Sequence, residues 1–464
     1  MPTSPIVPTV PTPPIVPIVA YSAYSAYSAY LAYSAYSAYL AYSAYSAYLA
    51  YSAYSAYLAY PPPQKSSLME KIALHLSATL LLLSLCLLPA RAADGHWTGT
   101  WASAMEYTGP SDMPQTSLSN RSVRQIVHLS LGGDRMRVQL SNEFGSGPVD
   151  IKAVYIAEAG QREAIVGKAR YLSFKGKRAV TIQPHETVYS DVLSYTLRPL
   201  QRLSVTICYG DRTPEHATSH RGSRTNSYIM AGAPSPKADY RPEETVPHWY
   251  NLAKIEVLTK AECIAVLGNS ITDGRGSTTD RQDRWTDRLA EALGGNVGVL
   301  NLGIGGNAVV EGGLSQPALQ RFDRDILGQQ GVTRLIIFEG TNDIGCCNAN
   351  YEQMVQRLID AYQTMIRKGK DAGMKVYLGT ITPTQGNSYF SWWHEAMRQA
   401  VNTWIRSQAA HVDGIIDFDE LMRDPQQPQR IRPEWQTDGL HPNAAGYEAM
   451  GQYAAKVIVN SGGN

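Results

Sequence analysis

The segment Cys263–Ile271 reads CIAVLGNSI, an apolar run of strand length that ends in Gly, Asn and Ser. An uninterrupted apolar run of this length is typical of a strand buried on both faces of a parallel sheet. The glycine permits a tight exit, so the strand would present Ser270 at its tip. A serine after Gly-Asn is more often a turn or helix-capping residue, so Ser270 needs partners elsewhere in the chain before it predicts a reaction.

Short apolar runs and helical patterns alternate from residue 254 to residue 464. This βαβ alternation predicts an α/β domain at 254–464, with a parallel sheet covered by helices on both faces. Active sites of such sheets lie at the carboxyl ends of the strands. The runs, each with the helical pattern that follows it, are Cys263–Leu267 with Asp283–Leu293, Val297–Leu302 with Gln316–Leu327, Leu335–Phe338 with Tyr351–Lys368, Val376–Leu378 with Trp393–Ser407, and Ile415–Phe418 with Ala444–Val459.

Residues 93–253 have a different texture, with short apolar or alternating runs separated by turn residues and no long helical period. This pattern predicts an all-β sandwich or jelly-roll-like accessory domain. Val123–Leu131, the turn Gly132-Gly133-Asp134 and the alternating Met136–Leu140 are typical of a β-hairpin.

The first 92 residues divide into two segments. Residues 1–68 hold a Tyr-Ser-Ala or Tyr-Leu-Ala triplet repeat at 21–60, which we expect to be disordered or not translated. Residues 69–92 have the layout of a secretory signal peptide: Met69-Glu70-Lys71, an apolar run to Leu88, and Ala90-Arg91-Ala92. We therefore expect translation to start at Met69, cleavage near Ala92 and a secreted or periplasmic bacterial protein. The alternative is an extracellular stalk anchored by the apolar run.

The overall composition narrows the partners. The formal net charge is +1 at pH 7, which gives no reason to expect nucleic acid or an anionic membrane as a partner. After signal cleavage we expect no stable membrane insertion. Export permits disulfides, and sequence does not choose a pairing among the four remaining cysteines, although Cys263 lies in an apolar run and is expected to be a buried thiol. The four are Cys208, Cys263, Cys346 and Cys347.

The segment DGLH (Asp438–His441) supplies the partners that Ser270 needs. A serine hydroxyl is a weak nucleophile, and an adjacent imidazole can take its proton. A carboxylate on the other ring nitrogen would hold the imidazole in the required tautomer. Read alone, Asp438 and His441 are as well explained by capping of the helix that follows.

Two further segments could stabilise an oxyanion. Asn342, in GTND (Gly340–Asp343), follows the third strand, and an Asn amide is a suitable donor. Gly306 lies in the glycine-rich loop after the second strand, where a backbone N–H could approach a substrate. Gly and Asn at such positions more often belong to an ordinary loop between a strand and a helix. The loop lacks a full GxGxxG, so a nucleotide site is not favoured.

Together these segments resemble the SGNH hydrolases, also called GDSL esterases and lipases. The resemblance covers roughly residues 256–462 and implies a three-layer α/β/α, flavodoxin-like domain with five parallel strands. It implies a triad of Ser270, Asp438 and His441, an oxyanion hole of the Ser270 and Gly306 N–H groups and the Asn342 amide, and no metal or other cofactor. The β region is similar to that of a secreted bacterial subgroup, and some relatives there deacetylate plant polysaccharides.

Asn269 departs from the family, which usually has Asp at this position. Asn can still accept a hydrogen bond, so we expect a structural role for it with modest cost. Trp392 and Trp393 could line an acyl or sugar pocket, but core packing of the following helix is the preferred interpretation. Trp285 has the spacing of a core residue.

The predicted function is a secreted serine esterase acting on small-molecule or polysaccharide esters, with acetyl or other short acyl groups on carbohydrate preferred. A lipase or lysophospholipase is the nearest alternative. A non-catalytic carbohydrate-binding protein with an SGNH fold is the alternative from another class, which the intact Ser, Gly, Asn and His set argues against.

Overall fold

The computed structural model describes residues 95–213, 215–236 and 239–461. The repeat and the signal peptide expected at residues 1–68 and 69–92 lie outside these ranges. Residues 93–464 cluster as one compact unit. Within the described ranges, no helix combines the length and apolar character needed to cross a membrane.

The N-terminal part of this unit is built from β-strands joined by turns. The strands are β1 (His96–Ala102), β2 (Glu106–Thr108), β3 (Arg121–His128), β4 (Gly133–Ser141), β5 (Val149–Ala159), β6 (Ile165–Tyr171), β7 (Val180–Ile182), β8 (Thr187–Tyr189), β9 (Leu193–Leu197), β10 (Arg202–Tyr209), β11 (Ala217–Arg221), β12 (Ser227–Ala231), β13 (Glu244–Val246), β14 (His248–Tyr250) and β15 (Leu252–Thr259).

Two antiparallel sheets form a sandwich, as the sequence predicts. One has the order β13-β12-β3-β10-β5-β6, with β7 beside β5. The other has the order β1-β15-β4-β8, with β9 beside β4. Their inner faces share one apolar core, in which Val123 and Val205 of the first sheet pack with Val138 of the second. Alternating inward-facing residues from both sheets are what hold such a sandwich together.

The predicted hairpin between Val123–Leu131 and Met136–Leu140 is wrong. β3 pairs with β10 and β12, whereas β4 pairs with β15, β8 and β9. The turn at Gly132-Gly133 therefore carries the chain from one sheet to the other. Alternation identifies a strand and its buried face, but it does not say which strand is the partner.

A smaller sheet of β14, β11 and β2 borders the C-terminal part of the unit. Its register places Arg221 opposite His248 and Ser219 opposite Glu106. The three strands thus bring residues from distant parts of the β region to one surface.

The C-terminal part has five parallel strands among its described residues, in the order β17-β16-β18-β19-β20. The strands are β16 (Cys263–Gly268), β17 (Gly298–Gly303), β18 (Val332–Phe338), β19 (Lys375–Gly379) and β20 (Gly414–Ile416). The helices are α1 (Ser270–Asp273), α2 (Trp285–Ala292), α3 (Ala318–Phe322), α4 (Thr341–Gly345), α5 (Tyr351–Asp371), α6 (Trp392–Ser407), α7 (Phe418–Met422) and α8 (Ala444–Asn460).

Alternate residues of the central strands face opposite sides of the sheet. Ala265 and Leu267 of β16 pack in a core that contains α5 and α6 residues. Ile264 and Val266 pack on the other side with Trp285, which is fully buried as its spacing predicts, and with residues of α8. The result is the three-layer α/β/α arrangement expected from the alternation.

The β region and the parallel sheet are in direct contact. β15 pairs with β1 and β4 and ends at Thr259, so the boundary expected at 253/254 falls inside a strand of the β region. β17 is an edge strand, and its Val299 N–H donates to Ser130 Oγ at 2.9 Å. A side chain at Gly99 would come within 2.8 Å of Leu300. The β region therefore covers an edge of the parallel sheet that would otherwise be exposed.

Candidate active site

Ser270 begins the short helix α1, directly after β16. Asn269 caps this helix, because its Oδ1 accepts a hydrogen bond from the Ile271 N–H at 3.0 Å. Gly268 has no room for a side chain, since a Cβ there would lie 2.1 Å from Thr272 Oγ1. This tight exit holds Ser270 at the carboxyl end of the strand, with 8% of its surface exposed.

The structure brings Ser270, His441 and Asp438 into one hydrogen-bonded chain. Ser270 Oγ lies 2.9 Å from His441 Nε2, and His441 Nδ1 lies 2.8 Å from Asp438 Oδ2. The other carboxylate oxygen of Asp438 accepts from the backbone N–H groups of Leu440 at 3.1 Å and His441 at 2.9 Å. These backbone bonds fix the carboxylate on the imidazole, so the orientation of the His441 ring is set by the protein itself.

The surroundings keep both groups in the required charge states. Burial lowers the pKa of His441 below its ordinary value, against the opposing effect of Asp438, so the imidazole is neutral and able to accept a proton at neutral pH. Burial alone would raise the pKa of Asp438, but the backbone N–H and the ring of His441 hold it below its usual range. Asp438 is therefore a carboxylate.

The backbone N–H groups of Ser270 and Gly306 are the two that the sequence predicts as oxyanion donors. Gly306 has a φ of +70°, a left-handed conformation that favours glycine. Within the described part of the chain, neither its N–H nor that of Ser270 donates to another backbone group. The Gly306 carbonyl accepts from the Leu314 N–H at 2.8 Å, which fixes the loop.

Asn342 follows the left-handed Gly340 in α4 and lies close to this loop. Its Nδ2 donates to the Asn307 carbonyl at 2.7 Å, and its Oδ1 accepts from the Tyr389 hydroxyl at 3.1 Å. The Tyr389 hydroxyl fixes which end of the amide is the oxygen, so the second N–H of Nδ2 is available to a substrate oxygen.

The four segments that the sequence predicts to form the site each contribute a residue to one open cleft of about 630 Å³. Ser270, His441, Gly306 and Asn342 line it. The β region supplies one wall of the cleft, with side chains that are mostly polar or charged. These side chains are Glu106, Asp112, Arg221, Arg224 and His248. The β region therefore forms part of the candidate site rather than a separate module.

Sequence reasoning missed Tyr389, because nothing in its neighbourhood marks it as a partner of Asn342. It also missed Arg321, a fully buried side chain that bonds to the Gly268 carbonyl at 3.1 Å, the Leu302 carbonyl at 2.8 Å and Asn307 Oδ1 at 2.9 Å. Arg321 thus ties the serine loop to the Gly306 loop. A lone arginine in an otherwise amphipathic helix gave no signal of this role.

A third missed residue is Glu339, which is fully buried just before Gly340. Burial raises its pKa to about 8, in spite of Arg321 and the nearby Asn269 side chain. A glutamate at the end of the apolar run LIIF is the one sequence signal that could have identified it.

Two further expectations are settled. All four cysteines of the described ranges are free thiols, and Cys263 is buried as expected. Trp392 and Trp393 are 68% and 65% exposed, so core packing was the wrong interpretation for both. No cluster of His, Cys, Asp or Glu suited to a metal occurs among the described residues.

Three comparisons with known proteins found similar sequences or structures, and one of them gives a residue range. The GDSL-like Lipase/Acylhydrolase family model matches residues 266–449. The chain is 32% identical over 133 residues to the "Uncharacterized lipoprotein YqeF" of Bacillus subtilis, an alignment that covers 27% of this chain and 51% of that protein. The chain thus spans about half the length of the curated relative that it matches.

Solved structures with low similarity cover less than half of this chain. A GDSL-like lipase from Bacteroides thetaiotaomicron has 21% identity and a TM-score of 0.34, over 43% of this chain and 89% of its own. A carbohydrate acetylesterase family member from Sinorhizobium meliloti has 17% identity and a TM-score of 0.35, over 44% and 100%. Similarity at these TM-scores does not indicate the substrate of this protein. Residues 266–449 therefore match the GDSL-like Lipase/Acylhydrolase family model, and the α/β/α fold of this part of the chain is consistent with that match.

Proposed function

We propose that this protein is an exported serine esterase that hydrolyses carboxylic esters through an acyl-enzyme, with short acyl groups, such as acetyl, on carbohydrate as its substrates. One observation carries the proposal: the hydrogen-bonded chain from Ser270 Oγ through His441 to Asp438 opens into a cleft that also presents Gly306 and Asn342. A nucleophile, an oriented base and oxyanion donors are the parts that acyl transfer requires.

The steps follow from these contacts. Ser270 Oγ attacks the ester carbonyl as His441 Nε2 takes its proton, and the resulting oxyanion accepts from the Ser270 and Gly306 N–H groups and from Asn342 Nδ2. The imidazolium, stabilised by Asp438, then protonates the leaving alcohol, and the acyl group stays on Ser270. Water attacks the acyl-enzyme with its proton passing to His441, and the released carboxylic acid restores the free serine.

The lining of the cleft supports a polar alcohol as leaving group. The wall from the β region carries two carboxyl and two guanidinium side chains, of Glu106, Asp112, Arg221 and Arg224. These groups are already paired with carboxylates or guanidinium groups of the protein, but a lipid tail that covered them would displace water without forming hydrogen bonds in return. Carbohydrate hydroxyls can form such bonds, so we prefer a sugar ester over the lipase and lysophospholipase alternative.

Export is part of the proposal. Its support is the signal-peptide layout at residues 69–92 and the name of the Bacillus subtilis relative, a lipoprotein. Cys86 follows Leu83-Ser84-Leu85 rather than a small residue, so we propose release of the protein after cleavage instead of attachment to lipid.

The test is hydrolysis of p-nitrophenyl acetate, butyrate and octanoate, and release of acetate from acetylated xylan, by the chain from Ala93. We expect the highest kcat/KM with acetate and a loss of at least about 10³-fold in the Ser270→Ala variant. Ser407→Ala, at an exposed end of α6, is the matched control and should behave as wild type. Equal rates in wild type and Ser270→Ala would refute the mechanism, and a rate rising toward octanoate would favour a lipase.

A further inference from the structure

One wall of the cleft comes from the β region, mainly from its three-stranded sheet. Glu106 of β2, Arg221 of β11 and His248 of β14 come from its three strands, and all three line the cleft. In an acyl-transfer site, the part of the substrate that reaches such a wall selects which esters bind.

Two of the three arginines of the cleft already have carboxylate partners. Arg221 bonds to Glu106 at 2.7 Å and to Asp112 at 3.2 Å. Arg224 pairs with the buried carboxylate of Asp273. The positive and negative charges of this part of the wall therefore compensate one another without a ligand.

Arg275 is the third arginine, and its side chain has no such partner. Its backbone N–H donates to the Ser270 carbonyl at 2.9 Å, which anchors the residue beside the nucleophile. The side chain is exposed and lines the cleft. Among the described residues, its guanidinium has no hydrogen bond or ion pair, so it is free to bind an anion.

His248 is a second group of the cleft without a partner. Both of its ring nitrogens are buried and lack a hydrogen bond within the described ranges. Burial lowers its pKa below the ordinary value, so at neutral pH the ring is neutral and offers one donor and one acceptor. A substrate hydroxyl would satisfy the requirement that buried polar groups be paired.

We propose that the cleft selects esters whose alcohol part carries a carboxylate, namely O-acylated hexuronic acid residues of an acidic carbohydrate. Arg275 binds the carboxylate through its planar, two-pronged guanidinium, and His248 hydrogen-bonds a ring hydroxyl. This inference rests on the proposed esterase function and adds a substrate class to it.

The experiment compares two substrates with the same acetyl group and sugar. One is the methyl glycoside of O-acetylated glucuronic acid, and the other is its methyl ester, which removes the negative charge. We expect wild type to have about three- to fivefold higher kcat/KM for the acid, because an exposed charge pair contributes less than about a factor of ten in binding. The preference should decrease as salt is added, because the pair is exposed.

Variants test whether the preference for the acid depends on Arg275 or on the loss of any positive charge. Arg275→Gln should lose the preference for the acid over the methyl ester, and Arg275→Lys should retain part of it. Arg367→Gln is the control, because Arg367 is an exposed arginine of α5 outside the cleft. It should retain the full preference.

Equal kcat/KM values of wild type for the acid and the methyl ester would overturn this inference and leave the esterase function intact. A preference that persists in Arg275→Gln would assign the recognition to another residue, and it would also overturn the inference. Failure to cleave either sugar or any p-nitrophenyl ester would refute the esterase function itself, and the inference with it.

Discussion

At the scale of single residues, Asn269 and Glu339 share a buried environment beneath the nucleophile. Asn269 Oδ1 caps α1, but Asn269 Nδ2 and both carboxyl oxygens of Glu339 are buried without a hydrogen-bond partner among the described residues. The Asn269 side chain is still close enough to lower the pKa of Glu339. An Asp at position 269 would place a second carboxyl beside the first, which gives a physical reason for the departure from the family pattern.

Asn269→Asp tests this account. At about pH 6 one carboxyl of the pair can stay protonated, so the rate should remain within about tenfold of wild type. Wild-type Glu339 ionises in the folded protein above its raised pKa of about 8, whereas the second carboxyl of the variant raises that pKa further, so the folded variant keeps a proton that the unfolded chain has already released. The free energy of unfolding should therefore be about 1–3 kcal/mol lower than that of wild type at about pH 10. Urea unfolding at both pH values measures this difference.

The double variant Asn269→Asp/Glu339→Gln is the control, because it restores one carboxyl and one amide. It should remove the extra pH dependence. An Asn269→Asp protein as stable as wild type at both pH values would show that the two side chains do not interact.

Tyr389→Phe tests the positioning of Asn342. Burial raises the pKa of Tyr389 to about 12, so its hydroxyl keeps the proton that it donates to Asn342 Oδ1. Without this bond the amide is less well oriented, and we expect kcat to fall about tenfold with KM almost unchanged, since the oxyanion forms only after binding. Asn342→Ala should cost about 10²–10³-fold in kcat. A change of Tyr389→Phe in KM alone would instead place Tyr389 in substrate binding.

The pH dependence of kcat/KM should follow His441. The imidazole must be neutral to accept the serine proton, and burial, with Arg275 and Arg224 nearby, lowers its pKa below 6.5 in spite of Asp438. Activity should therefore be complete at neutral pH and be lost only as pH falls through a midpoint below 6.5. Asp438→Asn removes the group that raises this pKa, so the midpoint should move lower still. Profiles from about pH 4 to 9 measure both, and a midpoint above 6.5 in wild type would contradict the assignment.

At the scale of elements, α1 connects the nucleophile to the β region. Its last residue, Asp273, is buried and accepts from His220 Nε2 at 2.8 Å as well as pairing with Arg224. Burial alone would lower the pKa of His220, but Asp273 and Glu106 hold it above its ordinary value, so the contact is charged. These two contacts of Asp273 attach the helix that begins at Ser270 to the β region.

Asp273→Asn should destabilise the fold by about 3–5 kcal/mol, because it leaves His220 and Arg224 without their buried carboxylate. Asp323→Asn is the comparison, since Asp323 pairs with Lys368 at 2.7 Å at the surface and its side chain is 63% exposed. That change should cost less than about 1 kcal/mol. Urea unfolding of both variants checks the contrast, and equal losses would mean that the Asp273 contacts contribute no more than a surface pair.

The elements also show how far sequence patterns reach. Strands β16 to β19 and helices α5, α6 and α8 lie within a few residues of the predicted runs, because buried strands and amphipathic helices have strong periodic signals. Partner choice has no such signal, so the predicted β3–β4 hairpin is wrong. Sequence patterns also do not show whether the first residues of a helix are exposed. The apolar character of Trp392 and Trp393 was therefore wrongly interpreted as core packing.

At the scale of the whole molecule, the sequence predicted a β region and an α/β/α domain but not the contacts between them. The apolar runs predicted the sandwich and the α/β/α layers, and the motifs predicted the residues that the fold gathers at Ser270. The wall of the cleft depends on the register of β2, β11 and β14 and on long-range pairs such as His220 with Asp273. Polar contacts between distant segments leave no periodic pattern, so Arg221, His248 and Tyr389 could not be assigned in advance.

The shared contacts predict cooperative unfolding. Because β1 and Ser130 cover the β17 edge and charged pairs join the two parts, residues 93–464 should unfold in a single calorimetric transition with equal calorimetric and van't Hoff enthalpies. Residues 260–464 alone should lack activity, since this segment loses one wall of the cleft and exposes the β17 edge. Two separate transitions, or an active 260–464 fragment, would contradict this view.

The central claim is that Ser270 is a nucleophile activated by His441, and covalent labelling tests it most directly. A fluorophosphonate forms a stable phosphorus–oxygen bond to an activated serine and releases fluoride, and peptide mass spectrometry locates the modified residue. We predict one phosphonyl group per chain, on the peptide that contains Ser270, and slower labelling by at least about 10²-fold in His441→Ala. Labelling at another residue, or labelling of Ser270 at an unchanged rate in His441→Ala, would contradict the account.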